Sequence, residues 1–163
     1  MIIKNHRSFI CGVKGKVLSK KEIEFLKKYK PWGIILFQRN IGSIKQTINL
    51  TNSIKKIFNN KNYPIMVDEE GGRVSRLRKF IDNSIFTAEY FGNLYKKNIN
   101  KFDIYYSVYV KQIAYLLRLL GININTVPVL DIKRKKFHKI VDNRSFSTDK
   151  KIVSKIGERC IKL

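Results

Sequence analysis

A short apolar run followed by an amphipathic helix recurs along this chain, and that alternation restricts it to a parallel α/β sheet. Phe9-Ile-Cys-Gly-Val13 reads as the first strand. Ser19-Lys-Lys-Glu22 is a capping box, with serine at the N-cap and glutamate three residues on, and it opens a helix to about Lys30. Ile23, Leu26 and Tyr29 fall on one side of that helix. Gly33-Ile-Ile-Leu-Phe37 is a continuous apolar run, as expected for a strand buried on both faces.

The unit then repeats. Ser43-Ile-Lys-Gln46 reads as a second capping box, with Ile44, Ile48, Thr51, Ile54 and Phe58 at helical spacing. Asn59–Asn62 makes a turn, and Pro64-Ile-Met-Val-Asp68 is a third strand with proline at its edge. After a polar loop and a weak helical stretch near Thr87–Lys97, a long helix is expected from about Lys101 to Leu120. Its buried stripe is Tyr106, Val110, Ile113, Leu117 and Leu120, and Gly121 ends it. Ile122–Leu130 reads as a fourth strand ending at Asp131. Ile152, Val153, Ile156, Cys160 and Leu163 mark a last helix.

Four βα units in series imply right-handed crossovers between parallel strands. A doubly wound sheet is one closure. The other is a (β/α)8 barrel, which needs eight units and typically about 250 residues. With four units the chain holds half of the eight, and no linker divides it, so residues 1–163 read as one domain portion. Half a barrel leaves its first and fourth strands as unpaired edges, which predicts self-association or marginal stability. Polar residues gather just after the strands, at Gln38-Arg39-Asn40, Asp68-Glu-Glu and Asp131, where both architectures place their sites.

The net charge of +22 invites a nucleic-acid reading, because lysine and arginine neutralise phosphates. Yet 25 lysines stand against 9 arginines, whereas planar phosphate and base recognition favours arginine. Ile, Lys and Asn supply 63 of the 163 residues, and all three have A/T-rich codons, so biased base composition accounts for the excess without a binding surface. The run Lys133-Arg134-Lys135-Lys136 is the best candidate patch, and reads first as a solvated loop. No apolar run approaches the roughly 18 residues of a membrane span, no secretory leader is recognisable, and Cys11 and Cys160 are too few for a disulfide framework. The expectation is a cytoplasmic, reduced, globular protein. No Cys/His constellation suggests a metal, and no cofactor is implied.

Asp68-Glu69-Glu70-Gly71-Gly72-Arg73-Val74-Ser75-Arg76 carries the chemistry. A carboxylate at the tip of a buried strand is costly unless it is hydrogen-bonded or faces a ligand. Gly71-Gly72 permits a sharp turn and close backbone approach. Arg73, Arg76 and Arg78 bring cations back towards three adjacent acids. Acid and guanidinium at a cleft suit a polyol, since the carboxylate accepts from vicinal hydroxyls and the guanidinium donates to them. An ion-pair network that only braces the loop accounts for the same residues.

Four ordered stretches resemble a known family: Gly33-Ile-Ile-Leu-Phe-Gln-Arg-Asn-Ile41, Val67-Asp-Glu-Glu-Gly-Gly-Arg-Val-Ser-Arg76, Gly121-Ile-Asn-Ile-Asn-Thr-Val-Pro-Val-Leu-Asp131 and Asp142-Asn-Arg-Ser-Phe146. Together they look like the bacterial β-N-acetylhexosaminidases of glycoside hydrolase family 3. The resemblance implies a (β/α)8 barrel, of which this chain holds about the first four units. It also implies hydrolysis of terminal β-linked N-acetylglucosamine from muropeptides or other β-N-acetylglucosaminides during peptidoglycan recycling. By the same resemblance Asp68, Arg76 and Arg144 bind substrate. Glu69 stands where many relatives have Gln, the loop after Arg78 lacks the usual proline-containing segment, and Asp131 is mainly structural.

Retaining glycosidases divide their work between a carboxylate nucleophile and a proton donor. In the resembled family the nucleophile is an aspartate on a later strand, and the donor is a histidine in a loop after the fifth strand. Neither motif occurs in these residues, and His6 and His138 read as surface or packing histidines. No catalytic residue is therefore assigned. The chain reads as a truncated front portion, inactive alone, with a complementary C-terminal half as a possible partner. A non-catalytic sugar-binding remnant and a basic nucleic-acid binder are the alternatives.

Overall fold

The computed structural model describes residues 6–134 and 141–163. His138, Lys135 and Lys136 lie outside the described residues. The chain divides into two compact units, Met1–Asp68 with Leu116–Asn125, and Glu69–Tyr115 with Thr126–Leu163.

The first unit carries the sheet. Strands β1 (Arg7–Gly12), β2 (Pro31–Leu36), β3 (Ile65–Val67) and β4 (Ile124–Asn125) lie side by side in chain order, every pair parallel. Consecutive parallel neighbours need a crossover each time, and helices α1 (Lys20–Tyr29) and α2 (Ile44–Ile57) supply the first two. This is an α/β fold of successive βα units, and the four strands do not close on themselves. β3 is buried along its whole length, and β2 exposes only Trp32. That explains their unbroken apolar sequences, because a parallel strand covered on both faces has no polar side.

Helix α1 begins as its sequence predicts. The Ser19 hydroxyl accepts from the Glu22 N–H, and Glu22 accepts from the Ser19 N–H at 2.9 Å. A second bond from the Lys14 N–H, 2.8 Å, ties the same carboxylate to the loop before the helix. Burial alone would raise the Glu22 carboxyl, but the bonds from Lys14 and Ser19 and the Lys14 charge outweigh it and hold it below its ordinary value. At α2 only half of the expected box forms. Ser43 caps the Gln46 N–H, while Gln46 Oε1 accepts from Gly42 and its Nε2 donates to Lys16 O at 2.7 Å. The glutamine stitches the β1–α1 loop rather than closing its own helix.

Asn40 belongs to the same stitching. It is fully buried, its Oδ1 accepts from Phe37 N–H, and its Nδ2 donates to Val13 O and Gly15 O. His6 packs, tilted, against the stacked rings of Phe58 and Tyr63.

The second unit is helical with an aromatic centre. Helices α3 (Ala88–Lys97), the body of α4 (Ile99–Leu119) and α5 (Lys150–Lys162) enclose Phe91, Phe102, Tyr106, Phe146, Val153 and Ile156. Thr87 caps α3, so the weak helical stretch is a helix of ten residues. Of the expected stripe, Tyr106, Ile113, Leu117 and Leu120 are buried and Val110 is half-buried.

The fourth strand is much shorter than expected. Only Ile124 and Asn125 pair with β3, so the strand does not reach Asp131, which is exposed six residues beyond it. The apolar residues after Asn125 pack on a helix instead. A Cβ on Gly157 of α5 would stand 2.6 Å from the Leu130 side chain and 3.7 Å from Pro128. Among the described residues no helix is long and apolar enough to cross a membrane.

Candidate functional site

The segment Glu69–Asn83 folds back on itself because two glycines allow it. Gly71 and Gly72 both have positive φ, 83° and 55°, a region that favours glycine. A side chain at Gly71 would also run into Phe86 O and Tyr109 Oη. Past the glycines the chain reverses, Gly71 bridges Val74, and the Glu70 N–H donates to Val74 O at 3.0 Å.

The two glutamates of this segment take different partners. Glu69 is 2% exposed. Its Oε2 accepts from the backbone N–H groups of Arg76, 2.6 Å, and Leu77, 2.9 Å, and its Oε1 accepts from Asn83 Nδ2 at 2.7 Å. A buried carboxylate is tolerated when donors converge on it in this way. Glu69 thus fixes the backbone that presents Arg76, whose side chain is half-buried. Arg78 Nη2 donates to Gly72 O at 2.7 Å and braces the glycine turn. Tyr109 lies beneath. Burial first, then the Glu69 charge, push its hydroxyl far above the usual tyrosine range, so it stays protonated at any working pH.

Glu70 pairs with Arg144. The contact is side-on and bidentate: Nε donates to Oε2 and Nη2 to Oε1, both at 2.7 Å. Both side chains are largely shielded, with 11% of Glu70 and 26% of Arg144 exposed. Arg144 ends a 3-10 turn, Asp142–Arg144, where its own N–H donates to Val141 O. The next residue anchors the turn, since Ser145 Oγ bonds Asp131 O at 2.6 Å and Ser147 O at 3.1 Å. Asp131 therefore serves through its backbone carbonyl, in line with a structural role.

Asp68, at the tip of β3, belongs to the first unit, and Arg76 and Arg144 belong to the second. Within the second unit, the adjacent pair Glu69–Glu70 links the two arginines, one through its backbone and one through its side chain. The sequence pattern put the arginines of the Arg73–Arg78 run opposite the acids, whereas Glu70 takes its cation from far along the chain. Asn83, fully buried and bonded to Glu69, gave no sequence signal. In the basic run, Lys133 is bonded to Glu89 at 2.6 Å and lies 3.6 Å from Asp142, an internal use of its charge. Among the described residues no group of three or more His, Cys, Asp or Glu could hold a metal ion.

The profile of the glycosyl hydrolase family 3 N-terminal domain matches residues 10–162. The chain belongs to glycosyl hydrolase family 3. Family relatives include the beta-hexosaminidase A of Pseudoalteromonas piscicida, 31% identical over 151 residues, covering 90% of this chain and 25% of the relative. The beta-hexosaminidase of Xanthomonas oryzae is 30% identical over 145 residues, covering 89% of this chain and 42% of the relative. Among solved structures, NagZ from Neisseria gonorrhoeae in complex with N-trifluoroacetyl-D-glucosamine superposes with a TM-score of 0.85 at 26% identity, over 95% of this chain and 46% of that one. The chain thus spans less than half the length of these family 3 relatives, and its four-stranded parallel sheet matches the N-terminal part of their barrel.

Proposed function

We propose that these residues form the sugar-binding front portion of a β-N-acetylhexosaminidase barrel domain, which hydrolyses terminal β-linked N-acetylglucosamine. Asp68 accepts hydrogen bonds from ring hydroxyls, and Arg76 and Arg144 donate to sugar oxygens. The observation that carries this is the half-buried Arg144 guanidinium, held on two N–H groups by Glu70 in a chain of this family. A bracing pair gains little from a shielded position, because desolvation offsets most of the attraction. A planar donor fixed in advance is what recognition of a polyol requires.

The NagZ complex supports the substrate class, since that relative holds an N-acylated glucosamine derivative. Muropeptides present such a sugar at a non-reducing end and are the substrate we propose, in cytoplasmic peptidoglycan recycling. No residue here is assigned as the carboxylate nucleophile or the proton donor that break the bond, and a complementary C-terminal half is the partner proposed to supply them. Binding groups alone do not lower the barrier, because they hold substrate and transition state alike. Titration with N-acetyl-D-glucosamine, followed by calorimetry or amide shifts, tests the proposal together with a chromogenic β-N-acetylglucosaminide. Binding without colour release is expected. Absence of binding defeats the saccharide assignment, and colour release defeats the claim about the missing groups.

A further inference from the structure

We infer that Glu70 is a positioning residue: it sets the plane and reach of the Arg144 guanidinium before a sugar arrives. This rests on the saccharide reading above and deepens it. An arginine side chain has several rotatable bonds and loses much rotamer entropy when it is fixed. If substrate had to order it, that cost would come out of the binding energy. Here the cost is met within the protein. Both atoms of the Nε–Nη2 edge are bonded to one carboxylate at 2.7 Å, which leaves the guanidinium no freedom to rotate about its own axis.

Both ends of the pair stand on rigid backbone. Glu70 lies in the reversal closed by the Gly71–Val74 bridge, and its N–H is bonded to Val74 O. No side chain fits at Gly71, where Phe86 O and Tyr109 Oη already stand, so the reversal is packed closely against its neighbours. Arg144 sits on a turn that Ser145 pins to Asp131 O and Ser147 O. The pair therefore joins two segments that are each held without it. Its geometry follows from them, and it is not needed to hold either one.

The test uses the whole 163-residue chain, N-acetyl-D-glucosamine as probe, and the variants E70Q, R144A and E70Q/R144A. E70Q keeps the volume and one acceptor oxygen but cannot take both N–H groups. We expect it to weaken sugar affinity by roughly tenfold to a hundredfold, by analogy with groups that orient metal-ligating side chains. In the R144A background the same change should alter affinity less than about twofold, since a residue that acts through Arg144 has nothing left to act on. Unchanged affinity in E70Q, or an equal loss with and without Arg144, overturns the inference and leaves the saccharide reading standing. Failure of the wild-type chain to bind removes that reading and the inference with it. Should E70Q not fold, the Arg144 Hε resonance of the wild-type protein decides. Slow exchange with water in the sugar-free state is expected, and fast exchange refutes a pre-set guanidinium.

Discussion

Replacing Gly92 by alanine sets two effects of opposite sign against each other, and the structure says which wins. Gly92 sits inside α3 with no positive φ, so helix propensity alone favours alanine by about 1 kcal/mol. A Cβ built there, however, lies 2.6 Å from the Phe146 carbonyl carbon, 3.1 Å from its Cα, and closer still to its carbonyl oxygen. The obstacle is backbone, so no rotamer change relieves it. Ordinary carbon contacts sit near 3.5–4.0 Å, so helix and loop must part by at least roughly 1 Å, and by more to clear the oxygen. The loop resists through the two Ser145 Oγ bonds and the Lys133 N–H to Ser147 O bond, each worth about 1 kcal/mol. The helix resists through the edge-on packing of Phe91 on Tyr106, with ring centroids 4.8 Å apart. Overpacking of about 1–3 kcal/mol plus strained loop bonds, less the propensity gain, leaves a net loss of about 2–3 kcal/mol. With a urea m-value of about 2 kcal/mol/M, the midpoint should fall by roughly 1–1.5 M. G15A is the control, because a Cβ there would meet only Val17 O at 4.0 Å, and its midpoint should hardly move. An equal or higher midpoint for G92A shows that the loop yields freely, and the steric reasoning is then wrong.

E69Q should cost less than about 1 kcal/mol. One amide oxygen can still accept from the Arg76 and Leu77 N–H groups while the amide donates to a flipped Asn83, whereas E69A strands three buried donors and should cost about 3 kcal/mol or more in urea unfolding. S19A removes the α1 cap and should lower stability by about 1 kcal/mol, read from the same assay. Because the folded Glu22 carboxyl is held below its unfolded value, its contribution is complete above the unfolded value and fades as pH falls through the folded one. The acid limb of a stability–pH curve should therefore flatten in E22Q, and a limb of unchanged slope assigns the acid sensitivity elsewhere. N40A leaves the carbonyls of Val13 and Gly15 and the Phe37 N–H without their shared partner, and should cost about 2–4 kcal/mol.

What the sequence disclosed and what it withheld divide along the range of the interaction. Ser19–Glu22 is a cap made within three residues, so local spacing carries it. The α4 stripe of Tyr106, Ile113, Leu117 and Leu120 is equally local, since helical periodicity alone puts those residues on one face. Gln46 has the right spacing for a capping box, but its amide meets Gly42 and Lys16 in a loop that spacing cannot describe. The run after Ile122 is apolar enough for a long strand. Strand and helix-packed coil both want apolar residues, and only the Pro128 and Leu130 contacts with Gly157 decide between them. In the candidate site the same limit applies. The motifs mark Asp68, Arg76 and Arg144 as a set of residue types in order, while the bond that holds Arg144, from Glu70, spans 74 positions and leaves no periodic trace. Such a bond can be anticipated only from physics at the destination. A shielded guanidinium must find an acceptor, and in the second unit the short turn after Gly71–Gly72 puts Glu70 where that acceptor has to be.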